Sequence, residues 1–134
     1  MKILILCTGN SARSQMAQGR FEHFYPDWEV YSAGTKPAEQ VHPLAIEAMA
    51  QDGIYISSHR PKSVQKYLDQ SFDIVLTVCD GAQKDCPIFA GEVKHRIHHS
   101  FEDPAKARGS KQEQLKVFQN VRDQIKEFVR AFEI

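Results

Sequence analysis

Residues 2–17 read Lys2-Ile3-Leu4-Ile5-Leu6-Cys7-Thr8-Gly9-Asn10-Ser11-Ala12-Arg13-Ser14-Gln15-Met16-Ala17. The unbroken apolar run Ile3 to Leu6 predicts a strand buried on both faces. A helical pattern over residues 14–24 begins at once, with apolar residues at Met16, Ala17, Phe21 and Phe24. Between strand and helix stand a cysteine, five small or polar residues and an arginine. A loop of that kind makes a pocket for a tetrahedral oxyanion. Its N–H groups point inward, and the helix that follows presents its positive end. The candidate oxyanion-binding residues are Thr8, Gly9, Asn10, Ser11, Ala12, Arg13 and Ser14. Arg13 can grip two oxygens at once, which a lysine does less well. Cys7 falls at the pocket floor, where positive potential is expected to hold it as a nucleophilic thiolate. The plainer reading is a core cysteine beside an ordinary turn. Cysteines are common in cores, but not usually with this loop behind them.

Outward from this loop, residues 28–32, 74–78 and, more weakly, 93–97 have strand character. Residues 43–50 predict a helix, with Pro43 in its first turn and Gly53 as a stop. Residues 64–67 form a shorter candidate. Residues 112–132 give the clearest helix, with Leu115, Phe118, Val121, Ile125, Phe128, Val129 and Phe132 at three- and four-residue spacing. Residues 106–114 read as a polar loop leading into it. The alternation predicts an α/β fold with an open, mostly parallel four-stranded sheet flanked by helices. Ligands bind such sheets beyond the carboxyl ends of the strands. Cys7 follows the first strand and Cys79 the third, so both belong to that edge. With no repeat, low-complexity tract or linker, residues 1–134 are expected to form one domain.

Lysine plus arginine and aspartate plus glutamate number 17 each. No global charge therefore draws the chain to nucleic acid or to a membrane surface. No apolar stretch approaches the roughly 18 residues a bilayer span needs. The four apolar residues after Met1-Lys2 are too few for a signal peptide. A cytoplasmic location and a monomer are expected. In a reducing compartment structural disulfides are disfavoured, so the three cysteines call for reactivity, metal binding or packing.

Cys79 and Cys86 flank the polar segment Asp80-Gly81-Ala82-Gln83-Lys84-Asp85, which reads as a flexible surface stretch. On a helix, thiols seven positions apart would lie on nearly one face but roughly 10 Å apart. A disulfide needs Cα atoms within roughly 7 Å. Joining the two would therefore require the segment to unwind, which suits a redox switch. Zinc binding with His95, His98 and His99 fits no standard spacing, and two idle cysteines are the other alternative. Asp103, in Phe101-Glu102-Asp103-Pro104, follows the fourth candidate strand on the same edge. A carboxylic acid there can protonate an oxygen leaving a tetrahedral substrate, and Pro104 restricts Asp103 to an extended conformation. Taken alone, Asp-Pro is more often an ordinary turn.

At this point the chain resembles the thioredoxin-coupled arsenate reductases, which are built on the low-molecular-weight tyrosine phosphatase fold. The resemblance begins at residues 7–17. It continues through Val30-Tyr31-Ser32-Ala33-Gly34-Thr35, His42-Pro43, Ala45-Ile46-Glu47-Ala48-Met49, Ile56-Ser57, Val78-Cys79-Asp80, Cys86-Pro87 and Asp103-Pro104-Ala105. In the final helix it rests on Val121-Arg122-Asp123-Gln124-Ile125. The resemblance implies Cys7 as nucleophile, Arg13 as oxyanion ligand, Asp103 as general acid, and Cys79 and Cys86 as the redox pair. It gives Asn10 and Ser14 the task of organising the loop. It implies arsenate as substrate and no tightly bound cofactor, the electrons coming from reduced thioredoxin as a transient partner. Some members bind potassium near the loop through acidic side chains. The corresponding positions here are Gln18 and Lys62, which argues against a metal. Ala12 stands where some relatives carry another cysteine. Three rivals stay open: a phosphatase using only Cys7, Arg13 and Asp103, a non-catalytic oxyanion-binding module, and a reductase recycled by glutathione and glutaredoxin.

Overall fold

In the computed structural model, which describes residues 1–133, the opening run forms β1 (Lys2–Cys7). Ile3, Leu4, Ile5 and Leu6 are all fully buried. Successive strand side chains point to opposite faces, so both faces of the sheet are covered. β2 (Glu29–Gly34), β3 (Phe72–Thr77) and β4 (Val93–His98) complete a sheet of order β2-β1-β3-β4, every neighbouring pair parallel. The expected four-stranded α/β sheet is therefore the observed one. β4 reads weakly in sequence because it is an edge strand, with Lys94, His95 and Arg96 exposed.

The helices are α1 (Arg13–Phe24), α2 (Pro43–Gln51), α3 (Asp80–Asp85) and α4 (Lys111–Arg130), with 3-10 turns at Val64–Tyr67 and Pro104–Lys106. α1, α2 and α4 pack on one another. Phe21, Trp28 and Phe132 interleave where α1 meets the end of α4. Behind the far end of α1, the buried Arg20 guanidinium pairs with Asp52. Arg122 of α4 reaches the same carboxylate at 3.4 Å. One carboxylate thus ties three helices together.

Two loop expectations are corrected. Residues 106–114 are not a continuous loop. Lys106 closes a 3-10 turn, and Ser110 starts α4 through a capping box in which Ser110 and Glu113 satisfy each other's backbone N–H groups. Residues 80–85 are not a flexible surface stretch but helix α3. Its cap is a thiol: Cys79 Sγ accepts from the Ala82 N–H at 3.4 Å. Ala82 is fully buried against the sheet. That docking, which a polar hexapeptide does not advertise, holds the turn of helix in place.

Strand order positions the site. From β1 the chain crosses first to β2 on one side and then, past β1, to β3 on the other. The carboxyl ends of β1 and β3 therefore flank the point where the winding reverses, the usual ligand crevice of an open α/β sheet. Cys7 ends β1, and Cys79 follows β3 by two residues.

Candidate active site

The loop after β1 is held by its carbonyls. The oxygens of Cys7, Thr8, Gly9 and Ser11 accept from the N–H groups of Thr35, Lys36, Ala38 and His42, at 3.2, 2.9, 2.9 and 2.9 Å. With those carbonyls turned outward, the loop's donors are left to face inward. Gly34 permits this approach, since a Cβ there would lie 2.5 Å from the Thr8 carbonyl oxygen. The resulting cavity has a volume of about 220 Å³ and is lined by Cys7, Thr8, Gly9, Ser11, Ala12, Arg13, Asp103 and Ala105.

Asn10 is the keystone. It adopts the left-handed conformation, φ 49°, and is fully buried, a backbone state that asparagine tolerates better than most residues. Its Nδ2 donates to Ser14 Oγ at 2.7 Å and to Ser32 Oγ at 3.0 Å. Its Oδ1 accepts from the Lys62 N–H at 2.9 Å and from Gln15 Nε2 at 3.2 Å. Because Ser14 Oγ already accepts from Asn10, its own hydrogen is free for Cys7 Sγ, 2.8 Å away. The Asn10 N–H also reaches Cys7 Sγ, at 3.1 Å.

Opposing influences act on the Cys7 thiol. Burial is the largest influence and pushes the thiol up. Hydrogen bonds from the Ser14 hydroxyl and the Ser14 and Asn10 N–H groups pull it down, and the neighbouring Cys79 pushes it up again. The balance lies above the ordinary thiol value. The sequence announces the donors around the sulfur but not the burial that opposes them, with Cys7 only 3% exposed.

Arg13 donates through Nη1 to the Phe101 carbonyl at 3.1 Å, and its Nη2 lies 3.5 Å from Asp103 Oδ2. Asp103 is extended and accepts from the Ala105 N–H at 3.0 Å. The acid and turn readings of Asp-Pro are therefore compatible: one carboxylate oxygen caps the turn while the other faces Arg13. A wider cleft of about 620 Å³ joins Thr8, Arg13, Cys79, Asp80, Gly81, Phe101, Glu102, Asp103 and Lys106. Phe101 is the only aromatic residue among all those lining it.

Cys79 is buried, and its sulfur lies 3.5 Å from Thr8 Oγ1. Cys86, half-buried at the other end of α3, sits with Arg96 on the wall of a separate cavity of about 200 Å³. Burial raises its thiol above the ordinary value, and Arg96 opposes that rise through its charge and a hydrogen bond. The structure thus places Cys7 and Cys79 in two cavities that share Thr8, Arg13 and Asp103, and sets Cys86 apart, one short helix away. His99 packs on Phe101 and Phe128, His98 is engaged by Thr77 and Asp80, and among the described residues no three His, Cys, Asp or Glu side chains are grouped so as to hold a metal ion.

Gln18 and Lys62 do not suit a potassium ion. Gln18 Oε1 accepts from Ser32 Oγ at 2.6 Å, and Lys62 Nζ donates to the Arg60 carbonyl at 2.8 Å. An ammonium group occupies this neighbourhood already, and its charge reaches Glu22 and His59. Gln15 and His59 escaped the sequence reading. Gln15 is fully buried and donates to the Asn10 and Arg60 carbonyls, and its Oε1 meets His59 Nδ1 at 3.1 Å. Its only sequence signal is a polar residue within a helix face that packs inward.

Residues 2–133 match the family described as low molecular weight phosphotyrosine protein phosphatase. The chain is 46% identical over 131 residues to the arsenate reductase of Shouchella clausii and 41% identical over 131 residues to that of Bacillus subtilis. Each alignment covers 97% of this chain and 93% of the relative. It superposes on an arsenate reductase in a phosphate-binding state with a TM-score of 0.76 at 29% identity, covering 96% and 93% of the two chains. For a low molecular weight protein tyrosine phosphatase from T. tengcongensis the TM-score is 0.77 at 26% identity, covering 97% and 95%. An oxyanion loop at the sheet's switch point and likeness along nearly the whole length carry one conclusion: the chain belongs to the low molecular weight phosphotyrosine protein phosphatase family.

Proposed function

We propose that this chain is an arsenate reductase working by a three-thiol relay that thioredoxin recycles. The observation that carries the reading is the placement of Cys79 against Thr8 of the oxyanion loop, with Cys86 at the far end of the same short helix. A phosphatase has no task for either thiol. The relatives named arsenate reductase support the same substrate.

Arsenate enters the loop and is held by inward N–H groups and by Arg13, which exchanges its contacts with Asp103 and the Phe101 carbonyl for two substrate oxygens. The Cys7 thiolate attacks arsenic, an As–O bond breaks, and Asp103 protonates the departing oxygen. Ser14 and the Asn10 N–H stabilise the thiolate against the cost of burial. Cys79 then attacks Cys7 Sγ. The As–S bond breaks and its electron pair goes to arsenic, which leaves as arsenite with a Cys7–Cys79 disulfide behind. Cys86 attacks Cys79 Sγ, and Cys7 departs as a thiolate. Bringing Cys86 to Cys79 requires α3, whose two ends they cap, to unwind. The Cys79–Cys86 disulfide is then reduced by thioredoxin, and no bound prosthetic group takes part.

The deciding experiment is arsenate-dependent NADPH consumption with thioredoxin and its reductase, run beside glutathione with glutaredoxin, with arsenite assayed directly. Sustained turnover with thioredoxin is expected. Turnover only with glutaredoxin would reassign the electron donor. Efficient hydrolysis of an aryl phosphate with no arsenite formed would return the chain to a phosphatase role.

A further inference from the structure

His98 and Thr77 end neighbouring strands and are register partners. The imidazole between them is engaged at both nitrogens. Nδ1 lies 2.7 Å from Thr77 Oγ1, and Nε2 lies 3.0 Å from Oδ1 of Asp80, the first residue of α3. A carboxylate accepts, so Nε2 carries a hydrogen toward Asp80, while Nδ1 faces the Thr77 hydroxyl, which can act as donor or acceptor. Thr77 and Asp80 bracket Cys79. The ring therefore spans the segment that holds Cys79 and fastens both sides of it to the sheet.

The other end of α3 has no such fastening. Among the described residues, Cys86 Sγ reaches the Pro87 carbonyl, at 3.6 Å, and Arg96, and the side chain packs half-buried at the edge of the core. The cavity of about 200 Å³ that Cys86 lines extends past Gln83 to Thr77 and His98, along the sheet toward the Cys79 end. Ala82 is the one buried residue of this six-residue helix, and a helix this short does not persist without its docking.

We propose that His98 is a positioning residue. It pins the N-terminal end of α3, so that Cys79 stays in place while the C-terminal half peels away over the cavity and carries Cys86 to it. The proposal rests on the relay reading. In the step concerned, Cys86 thiolate attacks Cys79 Sγ of the Cys7–Cys79 disulfide, the new S–S bond forms, and the electron pair of the old bond leaves on Cys7. The His98 clamp is present in both states but contributes more once α3 has unwound, when the docking of Ala82 no longer places Cys79, so its loss lowers the effective concentration of one thiol at the other.

The test uses the full chain in a Cys7→Ser background, with diamide as oxidant taking two electrons and two protons from Cys79 and Cys86. The ¹⁵N imidazole shifts of His98 should report a hydrogen on Nε2 in both the reduced and the oxidised protein. His98→Ala should speed hydrogen exchange of the residue 83–85 amides several-fold in the reduced protein. It should also move the Cys79–Cys86 equilibrium in a dithiothreitol buffer two- to tenfold toward the dithiol, about the worth of one hydrogen bond. His98→Gln, whose amide can both donate to Asp80 and accept from Thr77, should recover most of both effects. Asp80→Ala, a substitution at an exposed side chain, should reproduce the loss if His98→Ala fails to fold. Unchanged exchange and equilibrium in His98→Ala or Asp80→Ala, or loss of the Nε2–H signature on oxidation, would overturn the clamp. If the parent never forms a Cys79–Cys86 disulfide, the relay reading fails, and exchange in the reduced protein still decides whether His98 pins α3.

Discussion

Thr8 Oγ1 lies 3.5 Å from Cys79 Sγ, a single contact that links the oxyanion loop after β1 to the end of β3. The second thiol thus stands one residue from the nucleophile in space though 72 residues later in the chain. Gly81 makes this possible, because a Cβ there would lie 2.8 Å from Thr8 Oγ1.

Gly81→Ala should therefore displace α3 from the loop. Attack of Cys79 on Cys7, read as arsenite release in a single turnover, should slow by about 10- to 100-fold, the scale of a reacting group misplaced by about 1 Å. The alkylation rate of Cys7 should hold or rise slightly, since its Ser14 and Asn10 donors are untouched and only the upward push from Cys79 is lessened.

Asp103→Asn keeps an acceptor for the Ala105 N–H but has no proton to give at the leaving oxygen's acidity. Oxyanion binding should be nearly unchanged, while formation of the Cys7–arsenic adduct slows by about 10²–10⁴-fold. Rapid-quench kinetics beside equilibrium binding of phosphate separates the two. Wild-type turnover would leave Asp103 only its turn-capping task.

Burial holds the Cys7 thiol above the ordinary range, so the first chemical step should accelerate as pH rises through the alkaline titration of that thiol. Ser14→Ala removes the hydroxyl 2.8 Å from the sulfur. A hydrogen bond to a charged group is worth about 1.5–3 kcal/mol, so the alkylation midpoint should climb by about 1–2 pH units. Iodoacetamide reactivity against pH reads both effects.

Mass spectrometry of quenched thiol variants tests the relay. Cys86→Ser should release one arsenite and stall as the Cys7–Cys79 disulfide. Cys79→Ser should retain arsenic on Cys7 until a small thiol is added. Cys7→Ser should be inert. Full multiple turnover by Cys86→Ser with thioredoxin alone would replace the relay with a two-thiol scheme.

Asp52 is the carboxylate that ties Arg20 and Arg122. Burial pushes it up, but the Arg20 hydrogen bond and the charges of Arg122 and Arg20 outweigh that and leave it below the usual range. Its contribution is complete at neutral pH and is lost as pH falls through the depressed folded-state value. Asp52→Asn should cost about 2–3 kcal/mol at pH 7, less than a fully buried pair because the carboxylate is partly exposed. In urea unfolding the gap between variant and wild type should narrow at strongly acidic pH.

The strands and the oxyanion loop were legible because their causes are local. A run such as Ile3 to Leu6 can satisfy burial only as an inner strand. A cysteine, five small residues and an arginine between a strand and a helix leave few other geometries. Helix α3 was illegible because its stability comes from Ala82 docked on the sheet and from a thiol cap, neither of which is a helix signal in a polar hexapeptide. The burial of Cys7 was illegible for a related reason. Donors can be read from residue types, whereas the desolvation that opposes them is a property of the packed interior.

The sequence by itself determined the fold class, the loop with Cys7 and Arg13, and the three thiols available for redox chemistry, since each follows from residue type and short-range spacing. Only the tertiary structure decided which thiols meet. Parallel pairing of β1 with β3 brings Cys79 to Thr8, while α3 keeps Cys86 at its far end. The same packing turned Arg13 toward Asp103 across 90 residues of chain and placed His98 over the first residue of α3. Such long-range neighbours are set by strand order and by the burial that enforces it, which no local window of sequence contains.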